Sequence, residues 1–219
     1  MLTINKHVIP SGEQWDIIIE GMRNPMNSWN KSDSGWFDDF QGDRYYTIGE
    51  SDLALMHNLA RAGSDHRKYM RMIPVFITIT APLYWWKEFD TYKVGTVANS
   101  CSTMHKLTEH EFTIDDFSHD HLSPAAIDHL NGTIGVLNFY RKIYNDNKSK
   151  SAWYNIIQLL PTSYNQRRTV FLNYETLRNI YRARRNHKLT EWHTLCDFIE
   201  TLPHFDLITG EVSPNPCTT

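Results

Sequence analysis

One asparagine and one arginine in the C-terminal third have the types and spacing of ligand-binding residues. Asn173 and Arg184 lie eleven residues apart, with Leu177 and Ile180 between them. Eleven residues are about three helical turns, so in a helix the two side chains would share one side. Polar groups on a partly apolar face need partners, and a guanidinium can donate paired hydrogen bonds to a phosphate or to the edge of a pyrimidine. The pattern predicts ligand contact, with an internal salt bridge or a side chain lying along apolar surface as the alternative.

Further arginines follow helical spacing in the same region. Arg178, Arg182 and Arg185 occupy positions i, i+4 and i+7, and Arg167 and Arg168 precede them by about one helix length. This spacing places a basic face on a chain that is acidic overall. The face could bind an anion such as a nucleotide, although a solvated helix face has the same pattern.

A segment rich in small hydroxyl residues, 91–104, lies in the middle of the chain and contains Lys93 and Cys101. A reactive cysteine needs positive charge near its thiolate, and the sequence neighbours that could provide it are Lys93 and His105. A buried and inert thiol is the alternative interpretation.

Histidines are concentrated between residues 105 and 129, where His119 and His121 are two residues apart. Imidazoles can bind metals, but this spacing differs from the H-E-x-x-H arrangement of zinc hydrolases, so we expect no metal site. The sequence also lacks a phosphate-binding P-loop, a G-x-G-x-x-G motif, a nucleophile elbow and paired-cysteine zinc motifs.

Hydrophobic periodicity predicts the elements that position these residues. Ser51 and Asp52 precede a helical pattern and Gly63 follows it, as expected for a capped helix. A β-branched run ends at Ala81-Pro82, which indicates a strand and then the start of a helix. The predicted elements are a helix that begins at Leu53 and ends before Gly63, a strand over 75–80, and helices over 83–90, 124–140 and 153–160. The longest periodic region, from about 165 to 202, predicts helix with an interruption near Asn186.

Composition indicates a packed globular protein. The chain has 219 residues, of which 41% are hydrophobic and 13% aromatic, and a net charge of −3. Because there is no overall positive charge, we expect no nucleic-acid partner. The three cysteines form no disulfide framework, no apolar run reaches the roughly 20 residues of a membrane span, and the N-terminus lacks a signal peptide. We therefore expect a cytoplasmic protein with free thiols and no membrane partner.

The order of these features resembles the flavin-dependent thymidylate synthases across roughly residues 50 to 202. In that family a strand leads through Ala-Pro into a helix, then into a signature segment and, much later, into Leu-Pro and an asparagine-bearing helix that ends in an arginine. Here the Leu-Pro is Leu160-Pro161, and Trp192 follows that last helix. The resemblance implies an α+β, helix-rich single domain with a small, mostly antiparallel sheet over residues 1–204, followed by a flexible tail over 205–219.

The resemblance also assigns roles to individual residues. It implies that Arg184 contacts the uracil of dUMP, that Lys93 and Arg182 hold phosphate, and that Cys101 lies near the substrate phosphate. The residues that it places at the cofactor, flavin or folate, are Asn173, Asn179, Tyr92 and Thr96.

The family signature R-H-R-x-x-S-x-N-E-x-S-x-R-Y is largely replaced here. Its first triplet falls on Thr91-Tyr92-Lys93 and its last pair on Thr103-Met104, so only Lys93 keeps a positive charge. Each lost charge-assisted hydrogen bond would weaken the binding of the FAD diphosphate by about 1.5–3 kcal/mol.

The function implied by the resemblance is C5 methylation of dUMP to dTMP by a homotetramer. Methylenetetrahydrofolate would donate the carbon, reduced FAD the hydride, and NADPH would reduce the flavin. Two alternatives stay open. One is a flavin-free homologue that binds or modifies another pyrimidine nucleotide, and the other is a non-catalytic assembly protein.

Overall fold

This computed structural model describes residues 1–210, and its strands and helices are interspersed along the chain. The strands are β1 (Thr3–Val8), β2 (Gly35–Asp38), β3 (Arg44–Thr47), β4 (Pro74–Pro82), β5 (Val97–Ser100) and β6 (Asn165–Asn173). The helices are α1 (Gly12–Arg23), α2 (Glu50–Arg61), α3 (Leu83–Phe89), α4 (Pro124–Asn147), α5 (Lys150–Leu159), α6 (Tyr174–Arg184), α7 (Thr190–Ile199) and α8 (Asp206–Thr209). The predicted α+β, helix-rich class with a small sheet is confirmed.

The sheet has four strands in the order β1-β4-β6-β5, and β2 and β3 form a separate antiparallel hairpin. The central strand β4 is the predicted β-branched strand. Its side chains alternate, and Val75, Ile77, Ile79 and Ala81 are fully buried. Alternation of this kind is expected of a strand that packs one face against a core.

The contacts divide the chain into two compact units. Unit one contains residues 1–5, 78–91 and 98–169, and unit two contains residues 6–77, 92–97 and those from 170 onward. In unit one, α4 and α5 enclose a cluster that includes Phe112, Phe117, Leu137 and Ile156. Unit two is built on α1, α2, α6 and α7, with α8 packed on α6. The predicted single domain over residues 1–204 stays a prediction.

Local signals explain where some of the helices begin. The side chain of Ser123 accepts a hydrogen bond from the backbone of α4, with Pro124 at the first helical position, as the sequence predicts. The start of α2 differs from the prediction, because the N-cap is Gly49 and Asp52 is fully buried inside the helix. Asp52 is therefore not a capping residue, and its buried carboxylate forms an ion pair with Arg23.

The long helix predicted from 165 to 202 is wrong in its first part. Residues 165–173 form β6, and its burial alternates along much of the strand in a pattern of period two. The β-branched and aromatic run Thr169-Val170-Phe171 favours a strand, and strand pairing in the sheet overrides the helical periodicity read from the sequence. The remainder divides into α6 and α7, as the predicted interruption near Asn186 implied.

The C-terminal region predicted to be a flexible tail begins with structure. Residues 206–209 form α8, and Leu207 and Ile208 are fully buried. The rest of the predicted tail, 211–219, lies outside the described residues, as does Cys217. Among residues 1–210, no helix has both the length and the apolar character needed to cross a membrane.

Candidate functional site

Asn173 occupies the N-cap of α6 rather than a position within a helix. Its side-chain oxygen accepts a hydrogen bond from the backbone N–H of Thr176 at 2.9 Å and lies 3.1 Å from the Thr176 hydroxyl oxygen. The prediction that Asn173 and Arg184 lie along one side of a single helix is therefore wrong for Asn173, which comes just before the first residue of α6. Asn173 ends a strand and caps the helix, and a capping asparagine of this kind stabilises the start of a helix by about 1 kcal/mol.

Residues 92–96, which we call the 92–96 segment, contact both ends of α6. At the N-terminal end the Thr176 hydroxyl donates to the Val94 carbonyl at 3.1 Å. At the C-terminal end Arg184 Nε donates to the Tyr92 hydroxyl at 2.9 Å. Asn173, which lies close to Gly95, and Arg184 therefore both face this segment, although Asn173 precedes the helix, and the chain itself covers part of that side of α6.

Gly95 permits the close approach of this segment to α6. Its φ of +73° is a conformation that other residues rarely adopt. A Cβ at this position would lie 2.6 Å from Asn173 Nδ2 and 3.2 Å from Thr176 Oγ1. Only glycine fits here without displacing the residues that begin α6.

Two aromatic rings surround the guanidinium of Arg184. Its central carbon lies 4.7 Å from the ring centroid of Trp192 and 5.7 Å from that of Tyr92. The rings themselves meet edge to face at 6.0 Å. Cation–π contacts of about 0.5–2 kcal/mol hold the guanidinium plane in this position, so Arg184 is a pre-oriented, half-buried cation.

Four other predicted site residues belong to unit two. The side chains of Lys93, Asn179 and Arg182 are exposed. The Thr96 hydroxyl is buried and has no hydrogen-bond partner among residues 1–210. An unsatisfied buried hydroxyl is unusual, so Thr96 is a position where a bound polar group would complete the hydrogen bonding.

Cys101 belongs to unit one, whereas the other predicted site residues belong to unit two. Its side chain is exposed. Its backbone N–H donates to the Arg167 carbonyl at 2.9 Å, and Gln166 Nε2 donates to its carbonyl at 2.7 Å. These bonds attach the residue to β6, and they fix its backbone rather than its thiol.

The predicted basic stripe does not form one face. Arg178 is only 2% exposed and donates to the carbonyls of Leu207 and Ile208, and burial, followed by the charge of Arg182, lowers the pKa of its guanidinium. Arg185 pairs with carboxylates of α7 and of the residue that follows it. Arg178 thus binds α8, and Arg185 forms ion pairs with α7 and the residue after it. Of the three arginines in the predicted stripe, Arg182 is the one that is exposed and has neither of these contacts.

The histidine-rich region lines a cavity of about 610 Å³ in unit one. His119, His121 and His129 contribute to it, beside Leu122 and Leu159. The Nδ1 atom of His119 donates to the Phe117 carbonyl at 2.8 Å, which fixes the orientation of that ring. Among residues 1–210, no cluster of three or more histidine, cysteine or acidic side chains is arranged to hold a metal ion.

Sequence reasoning missed a buried ion pair in unit two. Arg23 Nε lies 2.5 Å from Asp52 Oδ1, and the two side chains are 5% and 0% exposed. The signal that could have found it is an aspartate inside an amphipathic helix, on the same face as Met56 and the apolar core. Such a residue must be paired.

The fold is similar to that of two solved structures of the flavin-dependent thymidylate synthase ThyX from Helicobacter pylori, both complexed with FAD and dUMP. The first has a TM-score of 0.65 and 16% sequence identity, and the match covers 95% of this chain and 98% of that chain. The second has a TM-score of 0.63 and 16% identity, with 94% of each chain covered. No protein-family model matches the sequence, and no curated protein matches it significantly. At this identity the likeness shows a ThyX-like fold, as the resemblance in the sequence predicted.

Proposed function

We propose that this protein binds dUMP and methylates C5 of its uracil to give dTMP. The observation that carries the proposal is the similarity in fold, over nearly the whole chain, to thymidylate synthases that hold FAD and dUMP. Methylenetetrahydrofolate would donate the carbon at the methylene level. A methyl group requires two further electrons, so a hydride must be supplied, and reduced FAD, itself reduced by NADPH, provides that chemistry when bound.

Different residues of unit two would contact the base and the phosphate of the nucleotide. Arg184 would contact the polar edge of the uracil, since its plane is already fixed by Trp192 and Tyr92. Lys93 and Arg182 are exposed cations that would hold the phosphate. These groups orient the substrate, and we assign no nucleophile among them.

The residues proposed for the cofactor are Asn173, Asn179, Tyr92 and Thr96. The buried Thr96 hydroxyl lacks a partner among the described residues, and the adjacent part of the 92–96 segment carries one ammonium, that of Lys93. Lys93 and Thr96 together would suit one phosphate group, and Lys93 is already assigned to the phosphate of the nucleotide. They do not fit the two charged phosphates of FAD, which would need further cations from elsewhere.

That mismatch favours a second candidate function. A homologue that keeps the nucleotide site and has lost flavin would bind dUMP, or another pyrimidine nucleotide, without FAD. Titration calorimetry with dUMP and FAD separately distinguishes the two. Binding of both, a yellow protein and formation of dTMP with methylenetetrahydrofolate and NADPH support the first candidate. Binding of dUMP alone by a colourless protein supports the second.

Arg184→Lys provides the sharper test of the nucleotide site. Lysine keeps the charge but loses the planar fork, so we expect dUMP to bind about 10–100-fold more weakly. The matched control is Arg185→Lys, because Arg185 lies next in sequence and pairs with Asp197 and Glu200. Equal dUMP affinity in the two variants, with circular dichroism unchanged, would contradict the assignment.

A further inference from the structure

A second cavity, of about 340 Å³, lies within unit two beside α1. Its volume falls in the range of small-molecule sites, which is about 300–1,000 Å³. Asp16, Glu20 and Arg23 of α1 line it, together with Trp29 and Tyr46. None of these residues is part of the nucleotide site proposed above.

The positive charge of Arg23 is already balanced. Its partner Asp52 is fully buried and also accepts hydrogen bonds from the hydroxyls of Ser32 at 2.6 Å and Ser34 at 2.7 Å. Backbone N–H groups of Asp33 and Ser34 complete the set. The carboxylate of Asp52 is therefore saturated with donors and holds the guanidinium in one orientation.

One nitrogen of the Arg23 guanidinium, Nη2, makes no hydrogen bond within residues 1–210. Nη1 donates to the Ser28 carbonyl at 3.3 Å, whereas Nη2 is buried without a hydrogen-bond partner among residues 1–210. The residue as a whole is only 4% exposed. A buried guanidinium N–H without an acceptor is costly, and Arg23 is one of the residues that line the cavity, so an acceptor atom on a ligand would satisfy this N–H.

The other polar groups of the cavity have the opposite sign. Asp16 and Glu20 are four residues apart and share a face of α1 with Arg23. With Arg23 balanced by Asp52, these two carboxylates set the charge of the cavity and favour N–H donors. Burial and then the charge of Asp16 raise the pKa of Tyr46 to about 12, so the phenol keeps its proton.

Trp29 adds a flat apolar surface. Its indole N–H donates to Asn24 Oδ1 at 2.7 Å, which fixes the ring, and the side chain remains 49% exposed. A fixed and half-exposed indole suits a planar ligand. The cavity therefore combines carboxylate acceptors, one buried donor and an aromatic surface.

We propose that this cavity binds a planar heterocycle with a 2-amino-4-oxopyrimidine edge, the ring system shared by pterins and guanine. The amino and ring N–H groups would donate to Asp16 and Glu20. The carbonyl oxygen would accept from Arg23 Nη2, and the ring would pack on Trp29. This ligand chemistry matches the two carboxylates, the unused Arg23 N–H and the indole surface, while the hydroxyls of Ser32 and Ser34 already donate to Asp52.

Titration calorimetry of the full chain tests the proposal with two probes, 6-methylpterin and guanosine. We expect at least one to bind, and Glu20→Gln and Asp16→Asn to weaken that binding by about tenfold or more, since each removes a charge-assisted hydrogen bond. Glu50→Gln is the matched control, because Glu50 is an exposed carboxylate of unit two that does not line the cavity. Binding of the pterin alone points to a folate-type ligand, and binding of guanosine alone to a purine nucleotide.

Failure of both probes to bind, or equal affinities in Glu20→Gln and Glu50→Gln, would overturn the proposal. Both carboxylates are exposed on α1, so these variants are expected to fold. Titration of Glu20→Gln with dUMP separates this site from the nucleotide site. Unchanged dUMP affinity alongside lost pterin or guanosine binding shows that the two sites are independent.

Discussion

Arg184 Nε donates to the Tyr92 hydroxyl at 2.9 Å, and this bond attaches the chain before β5 to the last turn of α6. Thr176 makes the corresponding bond to Val94 near the first turn. The helix thus holds the 92–96 segment at two points about two turns apart. Any ligand that contacts this side of α6 must also contact the segment or displace it.

Tyr92→Phe should lower the free energy of unfolding by about 1 kcal/mol, because it removes the acceptor of one hydrogen bond to a half-buried guanidinium. Urea unfolding followed by circular dichroism measures the change. Tyr45→Phe serves as control, since the Tyr45 side chain is 50% exposed on the hairpin. If both variants were equally stable, the bond from Arg184 would contribute nothing to the fold.

Gly95→Ala should destabilise the protein more than Gly42→Ala. Both glycines have positive φ, +73° and +87°, but an added Cβ meets Asn173 at position 95 and open space at position 42. The cost of the left-handed conformation, about 1–2 kcal/mol, is common to both. The difference between the two unfolding free energies therefore measures the close approach at α6, and a difference near zero would show that the segment can move away.

Asp52→Asn should cost about 3–5 kcal/mol of stability at neutral pH, because it breaks a buried ion pair and leaves Arg23 uncompensated. Burial alone would raise the pKa of Asp52, but the hydrogen bonds from Ser32, Ser34 and Arg23 outweigh it and lower the pKa below its ordinary value of 3.8.

A lowered folded-state pKa sets the sign of the pH dependence. The stabilisation by Asp52 is complete above the unfolded value near 3.8 and is lost as the pH falls below it. Urea midpoints of the wild-type protein and Asp52→Asn should therefore converge under acidic conditions. A constant difference between them across that range would contradict the assignment, and Asp43→Asn, at an exposed carboxylate, provides the control.

Alkylation should distinguish the two cysteines within residues 1–210. Cys101 is exposed and Cys196 is buried, and burial raises the pKa of the Cys196 thiol to about 11. Iodoacetamide at mildly alkaline pH should modify Cys101 in the native protein and Cys196 only after denaturation. Peptide mapping by mass spectrometry reads both sites, and rapid native labelling of Cys196 would show that α7 opens readily.

The sequence predicts best where local chemistry decides the structure. The serine-proline start of α4, the β-branched strand β4 and the helix after Pro82 all follow from residue preferences that tertiary contacts reinforce. The order of these elements was also sufficient to indicate the ThyX-like fold, because connections and lengths persist at 16% identity.

The prediction failed where pairing across the fold decides the structure. Residues 165–173 have both helical and strand periodicity, and their place beside β4 in the sheet selects the strand. Asp52 follows a serine and precedes an apolar pattern, so it resembles a capping residue, and only the fold shows Arg23 beside it. The sequence also could not predict that residues 92–96 pack over Asn173 and Arg184, because this contact depends on the path of the chain in the folded protein.

The packing of α8 sets a practical limit for shortened versions of this protein. Arg178 is buried and finds its acceptors in the carbonyls of Leu207 and Ile208. A chain that ended at residue 204, where the globular part was predicted to stop, would leave the buried guanidinium of Arg178 without these acceptors and would expose the surface beneath α8. Expression boundaries for crystallisation or display should therefore lie beyond Gly210.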